Sequence, residues 1–280
     1  MIIFEILKAI ILGIVEGITE WLPVSSTGHM ILVDEFMSLD VSPEFMELFL
    51  VVIQLGAICA VPVLFFSKLN PFSRSKTVDE RKSTWLLWAK VIVGVMPAAL
   101  IGVVLDDFLE EHLYNFVTVA ITLVVYGIAF IIVENLKKDK PSRVERVEDL
   151  SFTDALMIGG FQVLSLIPGT SRSGSTILGG RLVGVSRQTS AEFSFFMAIP
   201  VMLGASLLKI VKFVLKGYTA TGTEIWLLII GLVVSFLVSL AAIKFLTDFV
   251  KRHTFTPFGI YRIVLGALVL GYFLIKTYAF

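Results

Sequence analysis

Hydrophobic positions along this chain gather into long runs, the pattern of helices that meet lipid. Six runs, at roughly 45–66, 84–105, 113–135, 190–215, 224–247 and 257–278, are long enough to cross a bilayer. At 1.5 Å per residue about 22 residues reach roughly 33 Å, against a hydrocarbon core of about 30 Å. Two further segments, 1–36 and 151–186, are apolar but broken in the middle, by "LPVSSTGH" and "IPGTSRSG". Each predicts two short helices joined by a polar turn. Irregular backbone survives at membrane depth only where protein or water covers it, so both segments read as re-entrant hairpins in preference to ordinary kinked spans.

The two broken segments also match each other. With Gly13 on Gly159, Glu16 falls on Gln162; after a one-residue gap Pro23 falls on Pro168, Ser25 on Thr170 and Ser26 on Ser171. The same order continues downstream, with Asp107 on Asp248, His112 on His253 and Gly127 on Gly266. This predicts one integral membrane domain over 1–280 made by tandem duplication. The first repeat covers 1–135, with its hairpin at about 1–36, and the second covers 151–280, with its hairpin at about 151–186. A hairpin returns the chain to its starting side and three spans do not, so the second repeat enters from the opposite face. The expected fold is an all-α polytopic membrane protein with inverted-topology repeats, both polar turns lying near the midplane.

Composition strengthens this picture: 56% of residues are hydrophobic and 16% charged, where soluble domains run near 45–50% and about 25%. Net charge is zero, with 23 basic and 23 acidic residues, so nucleic acid is not an expected partner. Cys59 is the single cysteine; it permits no internal disulfide and reads as a packing residue. The opening "MIIFEILKAIILGIVEGITEW" lacks a basic leader and carries two carboxylates inside its apolar part, so a cleaved signal peptide is not expected. Loop charge is lopsided. Lys68, Arg74, Lys76, Arg81, Lys82, Lys137, Lys138, Lys140, Arg143, Arg146, Lys251 and Arg252 fall in one set of loops. "DDFLEEH" at 106–112, read as a solvated loop, and a short loop with Lys216 fall in the other. The basic set is expected in the cytoplasm, which turns both termini and the mouth of the first hairpin outward.

The polar residues inside the hairpins need a reason to be there. Glu16 and Glu20 are four apart and share a helix face; each would cost about 2.5–3.5 kcal/mol at the centre of a lipid-facing span. A divalent cation, Mg²⁺ or alternatively Ca²⁺, would offset that cost and keep waters for a phosphate-bearing substrate. Ser25, Ser26 and Thr27 stand where a second short helix should begin, and such a start offers free N–H groups to an anion. Ser26 and His29, three apart, are candidates for a nucleophile and its proton carrier. In the second hairpin Arg172 is a fixed cation with a planar fork suited to phosphate oxygens, flanked by Thr170, Ser171 and Ser173 as short donors. Gln54, mid-span, could reach a site residue or simply bond a neighbouring helix, and Gln162 is expected to support its loop. Carboxylates, a hydroxyl, a histidine and an arginine on two facing loops suit phosphoryl chemistry.

"EGITEWLPVSSTGH" and "PGTSRSG", with "VIQLG" at 52–56 and "EFSFFMAIP" at 192–200, resemble the bacterial undecaprenyl-diphosphatase family, also called the bacitracin-resistance family, over essentially the whole chain. The resemblance implies six spans and two re-entrant hairpins in inverted repeats, in a multi-pass bacterial cell membrane protein; by loop charge its site is expected to open to the extracytoplasmic side. It implies hydrolysis of undecaprenyl diphosphate to the monophosphate and phosphate, recycling the lipid carrier for cell-wall synthesis and giving bacitracin resistance. Glu16 and Glu20 match the family's acidic motif, and Ser25, Ser26, Thr27 and His29 its hydroxyl–histidine stretch. Ser171, Arg172 and Ser173 match its second phosphate motif, and Ser26 takes the place of the family's proposed nucleophile. A lipid or ion transporter with the same architecture stays open, because fold does not fix function. The expected partners are the polyprenyl diphosphate substrate and membrane lipids, and the sequence allows a homodimer.

Overall fold

The computed structural model describes residues 2–279, apart from the side chains of Asp106, Asp107, Glu110, Tyr278 and Ala279. Helices α1 (Ile2–Thr19) and α2 (Ser26–Met37) form the first broken segment. They are followed by α3 (Pro43–Leu64), the single turn α4 (Phe66–Leu69), α5 (Val78–Leu113) and α6 (Phe116–Leu136). Helices α7 (Phe152–Val163) and α8 (Arg172–Leu182) form the second broken segment, and α9 (Arg187–Leu215), α10 (Gly222–Arg252) and α11 (Thr256–Ala279) complete the chain. Among the described residues there is no strand, and six helices are long and apolar enough to cross a membrane. These six are α3, α5, α6, α9, α10 and α11, the six runs read from the sequence.

The long helices begin where the sequence supplies a cap. Ser42, Asn115 and Ser186 accept from the backbone N–H three residues on, and Thr77 with Glu80 and Thr221 with Glu224 form reciprocal capping boxes. Each such cap is worth about 0.5–2 kcal/mol, and satisfied ends matter most where no water can substitute. Polarity is distributed inside out. Val103 and Val104 are each 80% exposed, whereas Glu16, Glu20, Glu134, Arg181 and Arg262 are all buried.

Two expectations change. The stretch 106–112 is not a loop: α5 continues to Leu113, and the side chains of Asp106, Asp107 and Glu110 lie outside the described residues. Cys59 is exposed on α3 and does not pack into the interior.

The hairpins pack crosswise between the halves. α1 lies on α10, and α7 lies on α5. Small residues permit the first approach: a Cβ on Gly13 would stand 2.7 Å from the Gly231 carbonyl oxygen, and one on Gly17 2.8 Å from that of Ser235. Gly159 meets Gly94 in the second contact in the same manner. Each hairpin closes on its own end of the bundle. Lys8 near the start of α1 donates to the Ser38 carbonyl at 2.7 Å, and the Asp40 N–H donates to Glu5 at 2.8 Å. For the second hairpin, the Arg143 N–H donates to Gly184 O at 2.7 Å and the Ser186 N–H to Val144 O at 2.9 Å. The turns of the two segments meet inside the protein, where Arg172 Nη2 donates to Glu20 and Ser173 Oγ to the Glu20 carbonyl.

Candidate active site

The tips are built alike. Ser25 caps α2 and Ser171 caps α8, both at φ 74°. Among the described residues they are the only non-glycine positions with positive φ, and such strain costs on the order of 1–3 kcal/mol and persists only where the surroundings enforce it. Ser25 Oγ accepts from the Gly28 N–H at 3.3 Å and Ser171 Oγ from the Gly174 N–H at 3.1 Å. The cap positions therefore pair Ser25 with Ser171, at the spacing of Gly13 and Gly159, without the gap that placed Ser26 on Ser171. Ser26 and Arg172 then hold equivalent first positions of their helices.

Both of these residues converge on Glu20. Ser26 Oγ donates to Glu20 Oε2 at 2.9 Å, and Arg172 Nη2 donates to Glu20 Oε1 at 2.9 Å. The Arg172 and Glu20 side chains are 11% and 7% exposed, so the ion pair is desolvated, and removing one partner of such a pair typically costs about 3–5 kcal/mol. Further contacts fix the guanidinium: Nη1 donates to the Ser194 carbonyl at 2.6 Å, and the Trp21 ring centroid lies 5.9 Å away. Arg172 Nε is buried and has no hydrogen-bond partner among the described residues. Ser173 Oγ donates to the Glu20 and Leu22 carbonyls at 3.0 and 3.3 Å, a direct tie between the tips.

Other predicted residues are placed differently. His29 makes no hydrogen bond to Ser26. Its Nδ1 lies 2.8 Å from the Ser25 carbonyl, which can only accept, and its Nε2 lies 2.7 Å from the Tyr261 hydroxyl. In the neutral ring, Nδ1–H donates to Ser25 and Nε2 accepts from Tyr261. Thr170 is fully buried and contributes its carbonyl to Arg262, so its side chain does not line an open surface. Thr27 is half-buried, and its hydroxyl makes no hydrogen bond among the described residues. Gln54 reaches neither a site residue nor a neighbouring helix by a hydrogen bond among the described residues. Gln162, 1% exposed, leaves both side-chain polar atoms unpartnered among the described residues.

Glu16 is 1% exposed, and its Oε1 has no hydrogen-bond partner among the described residues. A buried, unpaired carboxylate oxygen one turn from a second carboxylate fits a hard cation. No group of three or more His, Cys, Asp or Glu gathers among the described residues. The protein would supply only Glu16 and Glu20, with water and phosphate oxygens as further ligands.

Arg262, on α11, was not singled out from the sequence. It is 0% exposed. Its Nη1 donates to Pro23 O at 3.2 Å and its Nη2 to Gly169 O and Thr170 O, each at 2.9 Å, which stitches the first tip to the second. Gly169 stands at φ 84° in this turn, a conformation that costs glycine little, and a Cβ on Gly174 would crowd Arg262 Nη1 at 3.1 Å. Ser194 and Tyr261, which hold Arg172 and His29, were also not singled out. The available signal was Arg262 itself, a lone charge inside an apolar run, where charge is expensive. Arg262→Met should leave three buried carbonyls unpaired, each costing about 1–3 kcal/mol. A clearly lowered thermal midpoint in detergent, together with reduced turnover, is expected; an unchanged midpoint would mean that the tips hold together without it.

Comparison with known proteins places this geometry. The family model described as Bacitracin resistance protein BacA matches residues 9–268. The Undecaprenyl-diphosphatase of Enterococcus faecalis is 58% identical over 274 residues, covering 98% of this chain and 99% of that protein. That of Acetivibrio thermocellus is 58% identical over 270 residues, covering 96% and 98%. That of Streptococcus mutans is 56% identical over 278 residues, covering 99% of each. With six apolar helices around two polar hairpin tips and a family match along nearly its whole length, this multi-pass membrane protein belongs to the bacitracin resistance protein BacA family.

Proposed function

We propose that this protein hydrolyses undecaprenyl diphosphate to undecaprenyl phosphate and inorganic phosphate, at a site shared by the two hairpin tips. The relatives' names supply the substrate. The observation that carries the chemistry is the triad of Ser26, Glu20 and Arg172, in which one carboxylate holds a hydroxyl and a guanidinium. Ser26 Oγ attacks the terminal phosphorus and passes its proton to Glu20 Oε2. The bond from that phosphorus to the bridging oxygen breaks, and the lipid leaves as a monophosphate, a good leaving group that needs no proton. Water then attacks the phosphoserine phosphorus and its protons leave with the inorganic phosphate, while the bond from phosphorus to Ser26 Oγ breaks and Glu20 returns the proton to that oxygen. Arg172 Nε, the free N–H groups at the starts of α2 and α8, and Thr27 bind phosphoryl oxygens. His29, tied to Tyr261, positions α2 and does not serve as the proton acceptor. This revises the role expected from its three-residue spacing.

Glu16 and Glu20 would hold a divalent cation, Mg²⁺ or alternatively Ca²⁺, which when bound neutralises phosphate charge. A transporter needs no nucleophile, and the Ser26–Glu20 contact favours the phosphatase. The test is phosphate release from a polyprenyl diphosphate by purified protein in detergent. Release that falls by at least tenfold with chelator and returns with Mg²⁺ is expected; undiminished release would remove the cation, and no release would remove the phosphatase.

We place the tips at the bilayer midplane, with the hairpins re-entering from opposite faces as inverted repeats and the basic loops in the cytoplasm. The crosswise packing of α1 on α10 and α7 on α5 supports the repeats. With Cys59→Ala as background, Glu111→Cys, at a side chain 79% exposed, should react with an impermeant thiol reagent on intact cells. Lys138→Cys should not. The reverse pattern would turn the site toward the cytoplasm.

A further inference from the structure

At the end of α8 away from Arg172, the connection between the halves closes over a concavity of about 250 Å³. Lys137, Lys138, Lys140, Arg181, Arg187 and Lys251 line it, with Glu145 as the acidic lining residue. It is distinct from the hairpin-tip site: nine residues of helix separate Arg181 from Arg172, about 13 Å.

The floor of this concavity is built. Arg181 is 5% exposed, its Nε donating to Glu134 Oε1 at 3.1 Å and its Nη1 to Val185 O at 2.8 Å. Arg187 Nε donates to Glu134 Oε2 at 2.6 Å. Two guanidinium groups thus share one buried carboxylate, leaving a positive charge uncompensated below the lysines. Lys137 is held in place by donating to the Leu182 carbonyl at 2.9 Å, and Lys251 by Asp248 at 2.8 Å. The 29-residue helix α9 also starts here. Its cap Ser186 accepts from Thr189, so the N–H groups of Arg187 and Gln188, both lining residues, carry no partner from the helix ladder. A positive helix end, a buried guanidinium and several ammonium groups around one concavity select an oxyanion.

We infer that this concavity is a second binding site for a phosphate group, separate from the hydrolytic site. Among the described residues no serine of its lining donates to Glu145 as Ser26 does to Glu20, so it binds without hydrolysing. The phosphate can come free in solution or on the head group of an anionic lipid, and both present the same anionic oxygens.

The full-length protein in neutral detergent is titrated with inorganic phosphate, against chloride at matched ionic strength, while its thermal midpoint is read. In parallel, the protein is incorporated into nanodiscs of equal phosphatidylglycerol and phosphatidylcholine, re-extracted, and its retained lipids are quantified by mass spectrometry. The variant Lys138→Glu/Lys140→Glu changes two exposed side chains that make no hydrogen bond among the described residues; its folding and its phosphatase turnover should stay as in wild type. A contribution from the hydrolytic site is common to both proteins and drops out of the difference. An apparent phosphate affinity at least tenfold weaker in the variant identifies the free anion as ligand. Loss of phosphatidylglycerol enrichment in the variant identifies the head group. If both arms are the same in wild type, in this variant and in Arg187→Gln, the site does not exist.

Discussion

Glu20→Gln should lower turnover by about 10²–10⁴-fold, the usual worth of general acid–base help. The purified variant should still retain its helix content. The expectation rests on two hydrogen bonds to opposite oxygens of one carboxylate, from Ser26 at 2.9 Å and from Arg172 at 2.9 Å. The amide keeps an oxygen for the guanidinium, and Arg172 stays anchored on Ser194, so the fold is spared most of the cost of a broken buried pair. What the amide cannot do is take the proton of Ser26. Phosphate release measures the first effect and circular dichroism in detergent the second. Turnover within a few-fold of wild type would take Glu20 out of the proton path.

Ser26→Ala should be deeper still, with no phosphate release above background. A hydroxyl at its ordinary acidity is a weak nucleophile and needs a base beside it; Ser26 has one in Glu20, whereas Ser25 Oγ is committed to capping the Gly28 N–H. His29→Ala should fall less than either variant, because it removes a tether to Tyr261 and leaves the Ser26–Glu20 contact standing. A loss in His29→Ala deeper than in Ser26→Ala and Glu20→Gln would restore the histidine as proton acceptor.

Much of the architecture was legible in the order of residues because lipid imposes a simple code. Twenty or so apolar residues make a span, and a Pro- and Ser-rich break inside such a run has to be buried by other protein. The two helix breaks, the six spans and the facing of Arg172 toward the first tip followed from that code. Three-dimensional pairing did not. Spacing along α2 put Ser26 and His29 on neighbouring faces, but the partner of each lies elsewhere in the chain: Glu20 before the turn, Tyr261 on α11. The acidic stretch at 106–112 reads as a loop by charge, yet the i→i−4 ladder of α5 continues through it to Leu113. Cys59 shows the other limit, since an apolar helix in lipid has two apolar faces and the sequence does not say which one faces inward. Arg262 was missed for a different reason. Its partners are backbone carbonyls of Pro23, Gly169 and Thr170, and carbonyl acceptors leave no mark in side-chain identity.

The most direct measurement is a rapid quench of wild-type protein during turnover on undecaprenyl diphosphate labelled at its terminal phosphorus. Label should appear covalently on the protein within the first turnover, map to the peptide containing Ser26, and be absent from Ser26→Ala. If no label is trapped at any time while phosphate is released at the wild-type rate, or if Ser26→Ala still releases phosphate, Ser26 is not the nucleophile and water attacks the lipid diphosphate directly.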